Sequence, residues 1–418
     1  AKLEGDYLLI LARIRSASRR LGDLLARSYA GLLMKIGWAA PSTAAREPVQ
    51  KRDYLGEVLR LQAGARELPP IYRRLFRLDP VEDPRFLVGR DAEMAALSEA
   101  RQLWEDGRAV SVVVIGARGS GKTSLLNCAV SGVLREVPIV SGSFYERIRN
   151  PEEMDSFLGG LLGRDPADPA GASASNKQVI VLEEVERTFI RTVGGFDGLR
   201  RLLDLISQTS RSTMWILSLN ETAYRYLDAV AGMGRVFSHK INAMSVLPEH
   251  LRKAILLRHN LSGLRLQFAS SPEAHFGFQR LRPILGLEKD PEQAFFDSLY
   301  RQSEGIFRSA FELWQQSVDR VEAGVLHLRD PKEPKYGSMI ADLTLQDSFT
   351  LQAILQHGGL TPEEHSEVFS CDINQSLSVL DRLQAWEIIE PDPRSPGRRV
   401  RPEAGRLVRQ ALHRQNLL

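Results

Sequence analysis

From Ser111 to Asn127 the chain reads SVVVIGARGSGKTSLLN. This run constrains the fold more than any other. Four consecutive β-branched residues, Val112 to Ile115, read as a strand covered on both faces, which is the environment of a parallel sheet flanked by helices. The segment that follows, GARGSGKT from Gly116 to Thr123, matches G-x-x-x-x-G-K-[ST] in full and leads into a helical run. Gly116, Gly119 and Gly121 let the backbone turn tightly, so that the N–H groups of Ala117, Arg118 and Ser120 can converge on phosphate oxygens. The helix that starts near Gly121 adds its positive end. Lys122 is placed to reach β- and γ-phosphates and Thr123 to sit on Mg²⁺, with Ser124 closing the cradle.

The same strand–helix alternation extends from about residue 86 to 245. VPIVSGSF (Val137–Phe144), QVIVLEE (Gln178–Glu184), TMWILSLN (Thr213–Asn220) and HKINAMS (His239–Ser245) read as four further strands, giving a five-stranded α/β sheet with helices on both faces. Between the second and third of these lies RDPADPAGASASNK (Arg164–Lys177), poor in apolar residues and read as a mobile loop. The division expected is a helical N-terminal region (1–80), an α/β core (81–246), a helical lid without strands (247–342) and a C-terminal domain (343–418). In the last, three helices precede IIEPDPRSPGRRVRP, a hairpin with a Pro/Gly tip, which is the layout of a winged helix.

Hydrolysis requires more than a phosphate cradle: a metal carboxylate and a way to activate water. QVIVLEEVE ends in Glu183 and Glu184 at the C-terminal end of a strand, where ligands of open α/β sheets collect. Adjacent strand residues point to opposite faces. Glu183 is therefore the candidate metal ligand with Thr123, and Glu184 the group that orients water. The bland alternative is an acidic pair that caps the next helix.

These motifs together resemble the AAA+ class of P-loop (ASCE) ATPases, most of all origin-initiator ATPases and the related STAND signalling ATPases, over roughly residues 86–330. FLVGRDAEMAAL (Phe86–Leu97) is similar to the class's opening motif, and the resemblance implies that Leu87, Val88 and Gly89 lie against an adenine. It further implies that Asn220, or Ser218 in the other register, is a sensor near the γ-phosphate. Asn220 also suits the cap of the next helix. Arg235 stands where such ATPases place an arginine finger aimed at a neighbouring subunit, and a plain surface arginine is the alternative. Arg308, in GIFRSAFELW, takes the place of the lid's sensor arginine. One departure is that Glu183 stands where the class has Asp, which implies slow turnover. The activity implied is Mg²⁺-dependent ATP hydrolysis that works a switch, its output being oligomerisation or engagement of a protein partner.

Charge is nearly balanced at +3, so no global field points to nucleic acid, and only local clusters can. The N-terminal region is basic and could meet a membrane surface or nucleic acid, or could be a solvated helical face. Arg394, Arg398, Arg399 and Arg401 make the hairpin basic, which keeps DNA as an alternative partner for an initiator-type ATPase. In the preceding helix, Asn374, Gln375, Ser378 and Arg382 are the candidate base-reading positions, beside the repelling Asp372 and Asp381. Cys128 and Cys371 are the chain's two cysteines, far apart, which excludes a disulfide scaffold and fits a reducing, cytoplasmic setting. No apolar run is long enough to span a membrane and no secretory signal is visible.

Overall fold

The computed structural model describes residues 68–163, 177–269, 290–331 and 337–418. The basic N-terminal stretch up to residue 67 and most of the loop expected at Arg164–Lys177 lie outside the described residues.

The strands β1 (Ser111–Ile115), β2 (Ile139–Ser143), β3 (Gln178–Glu183), β4 (Thr213–Leu219) and β5 (His239–Asn242) form one five-stranded sheet in the order β2-β3-β4-β1-β5. All four pairings are parallel. Composition explains who sits where. β1 and β4 are buried at every position, whereas β2 and β5, with their serines, histidine and lysine, stay partly exposed and take the edges.

Successive residues of the inner strands feed two separate cores. After α1 (Pro70–Leu75), α2 (Asp91–Glu105) and α3 (Lys122–Ser131) pack on one face of the sheet, against Val112, Val114, Val181 and Ile216. On the other face α4 (Pro151–Leu162), α5 (Asp197–Thr209) and α6 (Glu221–Ala231) cover Val113, Ile115, Leu182 and Leu217. Each such side chain removed from water contributes roughly 1.5–3 kcal/mol, so a one-residue slip of register would forfeit both cores at once.

The lid consists of α7 (Pro248–Asn260), α8 (Pro291–Ser303) and α9 (Phe307–Gln316). The sequence pattern predicts helices without strands here, and the structure differs. Three short strands, β6 (Arg265–Phe268), β7 (Val318–Glu322) and β8 (Val325–Leu328), form a second sheet in the order β6-β8-β7. β7 and β8 are joined by Ala323 and Gly324, both at positive φ, which is the geometry of a tight hairpin. Helix α1 belongs to the same core. The Tyr72 hydroxyl accepts from the Trp314 indole at 2.8 Å and meets His259 Nδ1 at 3.2 Å, while Phe76 stacks on Trp314.

Beyond a short helix α10 (Gly337–Ala341), the C-terminal domain runs α11 (Leu345–His357), α12 (Pro362–Phe369), α13 (Ile373–Ala385), the antiparallel pair β9 (Ile389–Pro391) and β10 (Arg398–Val400), and α14 (Pro402–Arg414). Leu360 bridges to Arg398 and adds a third short rung. Thr344 and Thr361 each close a capping box, which fixes where α11 and α12 begin. The helix–helix–helix–hairpin order is the one expected, and this domain has an apolar core of its own.

Candidate functional site

The loop between β1 and α3 is held open by two glycines in the left-handed region, Gly119 at φ 82° and Gly121 at φ 95°. A methyl group at Gly119 would come within 2.6 Å of the Arg308 Cβ, so only glycine lets the lid approach there. The lid helix is tied on directly: the Arg308 N–H donates to the Gly119 carbonyl at 3.2 Å. Ser120 is buried, and its hydroxyl has no partner among the described residues. Lys122 turns its ammonium back onto the Gly116 and Ala117 carbonyls at 3.0 and 3.3 Å. Burial holds its pKa below the ordinary lysine value, against the pull of Glu186, Glu184 and Glu183. Ser124, expected to contact ligand, also has a framework role, accepting the Val81 N–H at 2.9 Å.

The two residues expected to hold a metal are brought together although 60 residues apart in sequence: the Thr123 hydroxyl donates to Glu183 Oε2 at 2.6 Å. Burial pushes the Glu183 carboxyl up, and the Thr123 hydrogen bond opposes that. A hydroxyl and a carboxylate side by side are hard oxygen donors, and Mg²⁺ is bound by one or two carboxylates with phosphates and water completing its shell. The residues present fit that ion. Glu184 follows at φ 58°, a left-handed conformation that turns it out of the strand while leaving it on the wall of the same cavity.

Asn220 fills the capping role considered for it and has a second partner besides. Its carbonyl caps α6 by accepting the Ala223 N–H at 2.8 Å, and its amide donates to Glu186 Oε1 at 2.8 Å. The sequence reading gave Glu186 no role. It is buried beside Lys122 and Glu184, and burial raises its pKa. The available signal was the third acid of EEVE, three residues past the strand end.

Leu87 and Val88 line the cavity as expected. Gly89 does not; at φ 68° it packs on His250, whose ring a Cβ would meet at 2.6 Å. The neighbour that sequence reasoning passed over is Arg90. Buried to 2% exposure, it donates to the carbonyls of Ser120 and Met244 at 2.7 and 2.6 Å and pairs with Glu93, thereby anchoring the opening motif to the phosphate loop. Arg235 is exposed and lies outside the cavity walls.

These groups converge on one cavity of about 300 Å³, which the C-terminal domain completes. Pro393, Arg394, Arg399 and Arg401 of the hairpin and Arg409 of α14 form part of its wall. Three hairpin arginines, Arg394, Arg399 and Arg401, are thus on the cavity side, while Arg398 is not. Arg398 pairs with Asp381 at 2.8 Å, Arg399 with Glu390 and Asp392 at 2.7 and 3.2 Å, and Arg401 with Glu387 at 3.4 Å. Arg187 holds the buried Asp392 at 2.6 Å, and Arg118 of the phosphate loop lies 3.7 Å from it. Nothing in the local sequence foretold this docking. It centres on Arg147, which donates to the carbonyls of Glu186, Phe189, His357 and Gly359 and to the Glu364 carboxylate.

The strand order 2-3-4-1-5, the phosphate loop after β1 and a lid arginine helix seated on that loop decide the fold. It is the AAA+ P-loop fold. No protein-family model matches the chain, and no curated protein does. Among solved structures the chain is similar to the ORC2 protein of Aeropyrum pernix in its ADPNP–ADP complexes, with 12% identity and a TM-score of 0.38 over 83% of this chain and 99% of that one. It is similar also to the ORC1 protein of Aeropyrum pernix in complex with DNA, with 14% identity and a TM-score of 0.39 over 79% and 94%. A third is CDC6P from Pyrobaculum aerophilum, with 17% identity and a TM-score of 0.36 over 83% and 99%. Among the described residues, no helix is long and apolar enough to cross a membrane.

Proposed function

We propose that the chain is an ATP-binding switch that hydrolyses ATP slowly, and that its nucleotide state sets whether it self-assembles or engages a protein partner. One observation carries this reading: Lys122, Thr123, Glu183, Glu184, Asn220 and Arg308, drawn from the phosphate loop, two strand ends and the lid, line a single cavity. Lys122 and the loop N–H groups bind the phosphates, and Thr123 with Glu183 would hold Mg²⁺. The ion, when bound, neutralises charge on the β- and γ-oxygens. Glu184 positions and deprotonates water, Asn220 and Arg308 report the γ-phosphate to the core and lid, and Arg235 is left to act on a neighbouring copy. A ligand moves such an equilibrium only by its differential affinity for the two states, and Arg308 on the lid is where that difference arises.

The test is the light-scattering mass of Glu184→Gln with Mg·ATP, with Mg·ADP and without nucleotide. A larger particle with ATP alone is the expected result. A chain that binds ATP and keeps one mass throughout rules out self-assembly and leaves partner engagement.

A second reading, a DNA-binding initiator with a winged helix, is favoured by one observation. Asn374, Gln375 and Ser378 lie exposed on α13. Arg382 is not free to join them, since it pairs with the buried Asp347.

A further inference from the structure

We infer that Arg394, at the tip of the β9–β10 hairpin, is a γ-phosphate contact that the C-terminal domain supplies in cis to the cavity of the same chain. This rests on the reading of the cavity as an ATP site, and it goes beyond it by assigning the C-terminal domain a direct part in telling ATP from ADP.

The hairpin carries four arginines, and three of them are held by carboxylates of their own domain. Arg394 differs. Among the described residues its guanidinium has no carboxylate at ion-pair distance and no hydrogen-bond acceptor, although it forms part of the cavity wall with Thr123, Glu183 and Glu184. Its positive charge is one of those acting on the Glu183 carboxyl, the expected metal ligand. An unpaired guanidinium facing a phosphate site is a planar fork of donors suited to two phosphate oxygens at once.

Arg394 is itself exposed, but its backbone is held in place by the residue two positions before it. The Asp392 side chain is fully buried, accepts from Arg187 at 2.6 Å and from Arg399 at 3.2 Å, and takes the Arg394 backbone N–H at 3.3 Å. Ser395 on the other side is gripped by Arg187 at 2.9 Å. Arg187 follows directly on Glu186 at the end of β3, so the hairpin tip is pinned to the segment that carries the acidic residues. With the backbone held before the ligand arrives, only the side chain has to be ordered on binding, which lowers the cost of the contact. The two terminal phosphates of ADP leave the γ position unfilled, so the contact is specific to ATP. It also differs from the expected role of Arg235, which requires a second copy; a cis contact is independent of protein concentration.

The experiment measures equilibrium affinities of the full chain for Mg·ATP and Mg·ADP, for wild type, Arg394→Ala, Arg394→Lys and Lys122→Ala, together with hydrogen exchange of the backbone at residues 391–397. Arg394→Ala should cut the ATP-over-ADP preference by about tenfold while ADP affinity stays within about twofold, the loss of one charge-assisted phosphate contact. Arg394→Lys should recover part of it. ATP, and not ADP, should slow exchange at the hairpin tip in wild type. An ATP-over-ADP ratio unchanged by Arg394→Ala, with wild-type binding intact and Lys122→Ala impaired, overturns the role of Arg394 and leaves the cavity reading standing. A wild-type chain that binds neither nucleotide overturns both.

Discussion

Glu186 and Asn220 meet across two strand ends, and the meeting has a chemical consequence. The Glu186 carboxylate takes both the Asn220 amide, at 2.8 Å, and its backbone N–H, at 3.4 Å, and faces Lys122. Glu186→Gln keeps the volume but confronts the Asn220 donors with a donor of its own. It should lower kcat for ATP by about tenfold, near 1.4 kcal/mol, with little change in KM. Asn220→Ala should do the same, and because the two act as one unit the double variant should lose no more than either single one. Steady-state kinetics on the three variants decides this, and additive losses would separate the residues. The phosphate loop was legible in the sequence because all its groups are contiguous. Glu186 was not, because its partner lies 34 residues away and only folding reveals the pair.

At the level of elements, the parallel sheet could be read from Val112–Ile115 and its four counterparts, since burial on both faces leaves an uninterrupted apolar run. The lid's strands escaped notice for the opposite reason. LRLQF and VLHL are short and half-exposed, and β6 pairs with β8 across a long stretch of sequence. Docking of α11 on the core shows a further limit of local patterns. His357 ends that helix, looks like an ordinary basic residue in a last turn, and is fully buried against Phe189. Its Nδ1 donates to Ala353 and its Nε2 accepts from the Arg191 N–H, an arrangement open only to the neutral ring. Burial, with Arg147 and Arg191 close by, pushes its pKa down to about 3. An unfolded histidine titrates near 6.5. The folded state therefore binds fewer protons between those values, and its stability is full above about pH 6.5 and falls as pH drops toward 3. Thermal unfolding followed from pH 7 to 4 should show that loss, and His357→Gln should flatten it. His365, pushed down to about 4 by burial inside the C-terminal domain, adds a slope of the same sign that remains in the variant.

For the whole molecule, the question is which surfaces the C-terminal domain has left for a partner once it sits on the core. Its basic hairpin is engaged, so the DNA reading depends on α13. If that reading holds, duplex affinity should weaken steeply with salt and fall several-fold for Asn374→Ala with Gln375→Ala, measured by fluorescence anisotropy. Affinity indifferent to those substitutions would set it aside.

The seam between core and C-terminal domain is made largely of charge and backbone, with the buried His357 ring stacked on Phe189 as an aromatic contact. Arg147 meets Glu364 at 2.9 Å, Arg149 meets Glu367 at 2.7 Å and Arg187 meets Asp392 at 2.6 Å, whereas the apolar clusters of the core and of the C-terminal domain share no residue. Two of these three pairs are buried, and buried pairs are screened little by salt, so Arg149–Glu367 is the one that dissolved ions reach. The joint is in effect a clasp fastened by charge kept out of water, with one aromatic rivet where His357 meets Phe189.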